Sequence, residues 1–316
     1  MFDYSIASIK DYKNIQLFIK ENWSKDHILC KNNRVFEHYF LRGNELQFFL
    51  AKDKDKNIVG ILGYITNTQF DPKIAQDVAW LSMWMSKKNL SEPCGIKLIN
   101  YLESNIDTDY IASMGVGSDV IPIYERMGYI TGKMNQLLKP VEKLIQQKNK
   151  TIEYKISRIN NNEIFEELKK AKYIKNKYLS TSFYDYICFS IEKEGKEISL
   201  IVGRLLFDES NNNSIFRIVD FAGDFNGISI FARNVSNELF EREVNYIDIL
   251  LSDISEIEKG IFEICDNQNF LPLYFEPLIN KYKVKNFCYK KLTEVSYGLN
   301  IITGDCDQER PNKLNE

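Results

Sequence analysis

Asp77-Val-Ala-Trp-Leu-Ser-Met-Trp-Met85 is followed by Gly95-Ile-Lys-Leu-Ile-Asn-Tyr-Leu-Glu103, Tyr110-Ile-Ala-Ser-Met-Gly-Val116 and Ile123-Tyr-Glu-Arg-Met-Gly-Tyr129. The apolar content of the first run predicts a strand, the second a helix entered through a polar loop, the third another strand. The fourth lies in a short helix over Val120–Met127, stopped by Gly128, the residue type that best ends a helix in a left-handed conformation. Working towards the N-terminus, Leu46–Lys52 and Ile58–Thr66 predict two more strands around the polar turn Asp53-Lys-Asp-Lys-Asn57. Ile15, Phe18 and Ile19 form the stripe of a helix over Ile9–Glu21, and a second helical stretch covers Arg34–Leu41. Towards the C-terminus, Tyr129–Leu138 predicts a closing strand.

The 316 residues suit two domains. Residues 139–151, Lys- and Gln-rich with Pro140, are the expected linker between a domain over 1–138 and one over 152–316. The second half repeats the order of the first. Tyr184–Glu192 and Ile198–Asp208 predict a hairpin around Lys193-Glu-Gly-Lys196, with Phe216–Asp224 as a third strand. Helix Gly227–Glu243, strand Tyr246–Ser252, helix Ile254–Asn267 and an extended stretch from Phe270 follow. No residue-level repeat is visible; the repeated order β-β-β-α-β-α-β suggests duplication. The fold class expected is α/β (α+β), with two domains, each a mixed, mostly antiparallel sheet flanked by helices.

A formal net charge of −3 argues against a general nucleic-acid binder, which needs a basic excess to displace counterions from phosphate. No apolar run reaches the ~18–20 residues of a membrane span, and Met1-Phe-Asp-Tyr4 carries no signal-peptide pattern. Six scattered cysteines without a CxxC pair read as reduced thiols of a cytoplasmic protein, with no metal site and no disulfide framework.

The order of three strands, loop, helix, strand, helix and strand over residues 1–138 resembles the GNAT acyltransferase fold. Ile123-Tyr-Glu-Arg-Met-Gly-Tyr129 matches that family's late Tyr-x-x-x-Gly-aromatic pattern. The resemblance implies acyl-CoA as co-substrate. The amides of its pantetheine arm would pair along a splayed strand edge at Met83, Trp84 and Met85, whose N–H groups can also polarise the thioester carbonyl. Its pyrophosphate would sit at the helix start formed by Cys94, Gly95, Ile96 and Lys97. The alternative for Met83–Met85 is a buried strand. The loop departs from the family pattern: the usual Arg/Gln-x-x-Gly-x-Gly/Ala is replaced by Leu90-Ser-Glu-Pro-Cys-Gly95, which lacks the Gln or Arg and adds Glu92. Lys87, Lys88 and Lys97 are candidates to offset that charge.

By the same resemblance, Tyr124 is the candidate acid that protonates the departing thiolate, against a core tyrosine on a short helix. His27, in Trp23-Ser-Lys-Asp-His27, is a candidate base or sugar contact; a structural histidine is the alternative. Phe262 stands where a second Tyr124 would be, and Asp224 where a second phosphate loop would be. The second half is therefore expected to be a degenerate copy without its own turnover. The ending Thr303-Gly-Asp-Cys-Asp-Gln-Glu-Arg-Pro-Asn312, the run Phe216–Asp224 and Trp23-x-x-x-His27 resemble tandem-GNAT sugar N-acyltransferases of surface-polysaccharide (O-antigen, lipopolysaccharide) pathways. That likeness implies transfer from acetyl-CoA or 3-hydroxybutanoyl-CoA to the amine of a nucleotide-linked sugar, a dTDP-amino sugar such as dTDP-3-amino-3,6-dideoxy-D-galactose. Substrate contacts would come from Trp23, Tyr184, Arg217, Asp220, Asp305, Asp307, Gln308 and Arg310; Arg217 and Asp220 equally suit a structural ion pair, and the tail a disordered end. A GNAT acting on an amino acid or peptide, a femAB-like aminoacyl transferase and a non-catalytic binding module are the competing classes.

Overall fold

A computed structural model describes residues 2–141, 154–160, 168–208, 213–235, 239, 243–264, 285–294 and 298–306. The expected linker beyond Val141, Asp307, Gln308 and Arg310 lie outside the described residues, as does the extended stretch from Phe270 up to residue 284. In chain order the first half contains β1 (Asp3–Ser8), α1 (Tyr12–Asn22), α2 (Ile28–Lys31), α3 (Asn33–Phe40), β2 (Leu41–Arg42), β3 (Glu45–Lys52), β4 (Ile58–Thr66) and β5 (Val78–Ser86). There follow α4 (Gly95–Asn105), β6 (Tyr110–Val116), α5 (Ile121–Arg126), β7 (Ile130–Lys133) and β8 (Asn135–Pro140). The second half contains β9 (Tyr154–Ile159), α6 (Ala171–Ile174) with a π-helical continuation over Lys175–Leu179, β10 (Tyr186–Lys193), β11 (Lys196–Asp208) and β12 (Asn213–Gly223). It closes with α7 (Gly227–Asn234), β13 (Tyr246–Leu251), β14 (Glu263–Ile264) and β15 (Asn286–Lys291).

Local chemistry explains most of these elements. α1 buries Tyr12, Ile15, Phe18 and Ile19 at helical spacing. Asn32 caps α3 by accepting a hydrogen bond from the Val35 N–H at 3.1 Å. Asp53 ties the β3–β4 turn by accepting from the N–H groups of Asp55 and Asn57, each at 2.9 Å. Glu194 and Gly195, both at positive φ, make the two-residue turn of the β10–β11 hairpin.

Two sheets result, in the orders β1-β3-β4-β5-β6-β15-β7 and β14-β8-β13-β12-β11-β10-β9. Both are mostly antiparallel. One buried apolar core runs between them, joining Trp80, Met83 and Met114 to Tyr173, Tyr178, Val219 and Leu250. α4 and α5 cover the far face of the first sheet through Leu98, Ile99 and Tyr124. α7 covers the far face of the second through Ile228 and Phe231.

Two expectations are corrected. The strand read as Tyr129–Leu138 is broken at Met134: β7 stays in the first sheet, whereas β8 crosses and pairs with β13. The place it leaves is taken by β15, from near the chain's end, which inserts between β6 and β7. Lys290 anchors it by donating to Glu103 at 2.7 Å and to the Met127 carbonyl at 3.1 Å. The helix read over Ile254–Asn267 is absent over 254–264, where turns lead into β14. Gly260, at φ +80°, breaks the turn periodicity there. Phe262 therefore has no helix to sit on and is not a positional twin of Tyr124.

Each sheet carries the same irregularity. In the first, β5 holds one extra residue against β4 between the pairs Leu62–Trp84 and Tyr64–Leu81. β5 and β6 then run parallel only over Val78–Trp80 and Tyr110–Ala112. In the second, β12 holds one extra residue, Val219, against β11. β12 and β13 run parallel only over Ile215–Arg217 and Tyr246–Asp248. A bulge bends and twists its strand, so in both sheets the bulged strand leaves its parallel neighbour and a fork opens.

Candidate active site at the first fork and the cleft between the sheets

The two forks differ in what enters them. In the second, the chain's own ending does. Ile302 bridges to Leu251, the Thr303 N–H donates to the Leu250 carbonyl at 3.1 Å, and the Gly304 N–H donates to the Val219 carbonyl at 2.6 Å. In the first, the described residues close the base. The Leu81 carbonyl accepts from the Ser113 hydroxyl at 3.3 Å and from the Cys306 thiol at 3.1 Å. Cys306 reaches it by adopting φ +61°, a conformation side chains rarely take. Beyond Trp80, no described strand pairs with β5 on this side, so the edge at Met83–Ser86 suits an incoming chain of amides. Met83 is buried, while Trp84 and Met85 are half-buried.

Tyr124 lies on the α4/α5 face of this fork, 3% exposed, its ring 5.7 Å from that of Trp84 and 4.9 Å from that of Tyr129. Burial raises its pKa well above the ordinary phenol, with the neighbouring Cys288 and Cys306 thiols adding to the shift. The hydroxyl is thus held in its protonated form.

α4 starts at Gly95 after the buried Cys94, whose side chain makes no capping hydrogen bond. A Cβ on Gly95 would come within 3.1 Å of the Trp84 indole. The indole therefore rests against the start of α4 on one side and Tyr124 on the other. Glu92 is neutralised by Lys97 at 2.8 Å; that contact lowers the Glu92 pKa to about 2 and raises that of Lys97. Lys97 is accordingly engaged with Glu92, and Ile96 is exposed.

On the opposite face of the first sheet a cleft of about 690 Å³ opens between Asn67–Trp80 and second-half residues of 168–172, 221–225 and 298–305. Trp80 forms part of its wall and donates from Nε1 to Asn67 at 2.8 Å. Asp305 also lines the cleft. Behind that wall lies a buried polar network. Asp220, fully buried, accepts from Lys170 Nζ at 2.6 Å and faces the Tyr178 hydroxyl at 2.9 Å. Lys177 Nζ contacts the Tyr173 hydroxyl at 2.8 Å and the Gly304 carbonyl at 2.7 Å. Burial pushes the Asp305 carboxyl up to about 6, with Asp220 raising it further and Lys170 and Lys177 opposing. Burial lowers the Lys170 ammonium's pKa, but Asp220 and Asp305 outweigh it and leave it raised.

Gly304 is the pivot of this network. A Cβ there would lie 2.4 Å from the Tyr178 hydroxyl and 2.5 Å from the Val219 carbonyl. Gly304→Ala is expected to cost about 1–3 kcal/mol as an overpacked core position. Thermal melting checks this; an unchanged melting temperature would mean the ending is not seated in the second fork.

Of the residues singled out by sequence, Asp305 lines the cleft and interacts with the buried Asp220 behind its wall, and Met83–Met85, Gly95 and Tyr124 lie around the first fork. Others lie elsewhere. His27 is fully buried and caps α2, its Nδ1 accepting from the Leu29 N–H at 3.3 Å; Trp23 packs near it, 6.3 Å between ring centres. Tyr184 is buried with Arg204 over its ring. Arg217 pairs with Asp248 on the adjacent strand rather than with Asp220. Sequence reading missed Lys170, Lys177 and Tyr178. The π-helical turn that carries Lys177 and Tyr178, of a kind often found at functional sites, is invisible before folding.

No protein-family model matches the sequence, and no curated protein matches it. Solved structures do share its fold. A GCN5-related N-acetyltransferase from Anabaena variabilis ATCC 29413 superposes with a TM-score of 0.58 at 10% identity, covering 93% of this chain and 73% of that one. A GCN5-related N-acetyltransferase from Kribbella flavida gives 0.53 at 8% identity, covering 92% and 71%.

Proposed function

We propose that the chain is a CoA-dependent N-acyltransferase whose single reaction centre lies at the base of the first fork. The observation that carries this is the contrast between two forks of like construction. The second is filled by residues 302–304, while in the first no described strand pairs with Met83–Ser86 on the β6 side, with a buried phenol on one face and a cleft on the other. The edge would hold the pantetheine arm as an added strand. The N–H groups at the start of α4 would meet the pyrophosphate, past the indole of Trp84. Acyl-CoA supplies the thioester. The chain's own residues orient it, Tyr124 holds the proton for the leaving sulfur, and the cleft admits the amine.

The acceptor proposed is a nucleotide-linked amino sugar, a dTDP-amino sugar in the first instance. Lys73, Lys169 and Lys172 line the cleft and would favour a diphosphate, and Asn67, Gln76 and Asn300 supply groups for hydroxyls. In this reading residues 1–138 carry the cofactor side, and the second half supplies the acceptor wall and lends β15 to the first sheet.

Calorimetric titration of the full chain with acetyl-CoA and 3-hydroxybutanoyl-CoA tests the core of this assignment. Saturable binding by either, and thiol release on adding dTDP-3-amino-3,6-dideoxy-D-galactose, are the expected results. Absence of binding by both at millimolar concentration would overturn it. The outcome would then be a non-catalytic binding module, the class that the altered phosphate loop and the indole over Gly95 favour.

A further inference from the structure

We propose that the Asp305 side chain is the proton acceptor for the incoming amine. The proposal rests on the acyltransferase reading and extends it. Three placements carry it. Asp305 lines the same cleft as Val78 and Trp80, which belong to the stretch of β5 paired with β6 just before the fork. Its chain neighbour Cys306 touches the Leu81 carbonyl at the fork's base, so the carboxylate is one residue from the proposed reaction centre. Its orientation is set, because Oδ2 accepts from the Ile302 N–H at 2.9 Å while Gly304 is clamped between Val219, Lys177 and Tyr178.

The charged and titratable groups facing Asp305 are Lys170 beside α6, Lys177, Tyr173 and Tyr178 on α6 and its continuation, Asp220 on β12 and Cys306 on its own segment. Two carboxylates and two ammonium groups balance when Asp305 is ionised. Burial and Asp220 nevertheless hold its proton affinity well above that of an ordinary aspartate, near pH 6. A base poised close to the working pH is the useful kind. Lys170 and Asp220 act on it as positioning residues.

The acceptor ammonium gives one proton to the Asp305 carboxylate and becomes a free amine. The nitrogen lone pair forms the C–N bond at the thioester carbonyl, and the C–S bond breaks. The sulfur leaves with the electron pair and takes the Tyr124 proton, and the second nitrogen proton passes back to the tyrosinate through water. Asp305 returns its proton to solvent. The net products are amide, CoA thiol and one proton.

The test uses the full chain with acetyl-CoA and three amines: dTDP-3-amino-3,6-dideoxy-D-galactose, glucosamine 6-phosphate and a free amino acid. For the amine turned over fastest, kcat/KM of the wild type should fall tenfold per pH unit below about pH 6, because the protonated carboxyl cannot accept. Asp305→Asn should lower kcat by about 10²-fold and abolish that limb, while acetyl-CoA affinity and melting temperature stay near wild type, since the amide can still accept from Ile302. Asp305→Glu should restore part of kcat and the limb. Lys170→Met should move the limb to higher pH. Unchanged kcat and pH profile in Asp305→Asn would overturn the role of Asp305 and leave the acyltransferase reading standing. Acetyl-CoA binding with no turnover of any amine would overturn both.

Discussion

Tyr124→Phe is expected to lower kcat by about 10²-fold or more, the usual worth of a positioned proton donor. Acyl-CoA affinity should stay within a factor of about 2, because an interaction made only in the transition state affects kcat without affecting substrate binding. The substitution keeps the ring against Trp84 and Tyr129, so its packing survives. The physical basis is the burial of the phenol. Its proton is held well beyond the ordinary phenol range, so it serves as a donor and not as a base at neutral pH. A weak acid donates to sulfur only once thiolate charge has developed, so transfer comes late in bond cleavage. Thiol release by the variant at the wild-type rate would remove Tyr124 from the chemistry; a loss of acyl-CoA binding instead would make it a wall of the fork.

Arg217→Met should produce the largest loss of stability, about 3–5 kcal/mol, because it leaves a buried carboxylate without its cation. Arg217 Nε donates to Asp248 Oδ1 at 2.9 Å, a second guanidinium nitrogen contacts Oδ2, and Gln136 donates to Oδ2 at 2.8 Å. The two side chains are 6% and 0% exposed, so solvent cannot compensate. Pairing the change with Asp248→Leu should recover most of the loss, since an apolar pair of similar volume is often neutral or better than a buried ion pair. Denaturant unfolding measures both, and the amine KM of the folded Arg217→Met fraction should equal that of wild type. A raised KM with undiminished stability would instead make Arg217 a substrate contact.

Local signals made much of the first half legible. The stripe of α1, the β3–β4 turn and the Gly128 stop, at φ +82°, each depend on residues within one or two turns of one another. The family resemblance, and not periodicity, singled out Tyr124, Gly95 and Asp305. The partners of these residues were not legible. Asp305 owes its raised proton affinity first to burial and then to Asp220, against the opposing pull of Lys170 and Lys177; these three residues are 85 to 135 positions away in the sequence. His27 looked available because histidine titrates near neutrality, yet α1–α3 enclose it and turn its ring into a helix cap.

Residue order by itself determined most of the helices and strands and the class of mostly antiparallel sheets flanked by helices, because periodicity, turn chemistry and helix stops act over a few residues. The tertiary structure alone decided which strand completes which sheet and which fork is filled. An edge strand accepts any backbone of suitable register. The choice of β15 over β8 for the first sheet, and of residues 302–304 for the second fork, therefore depends on core packing and on anchors such as Lys290–Glu103 and Lys177–Gly304, made between residues far apart in the chain.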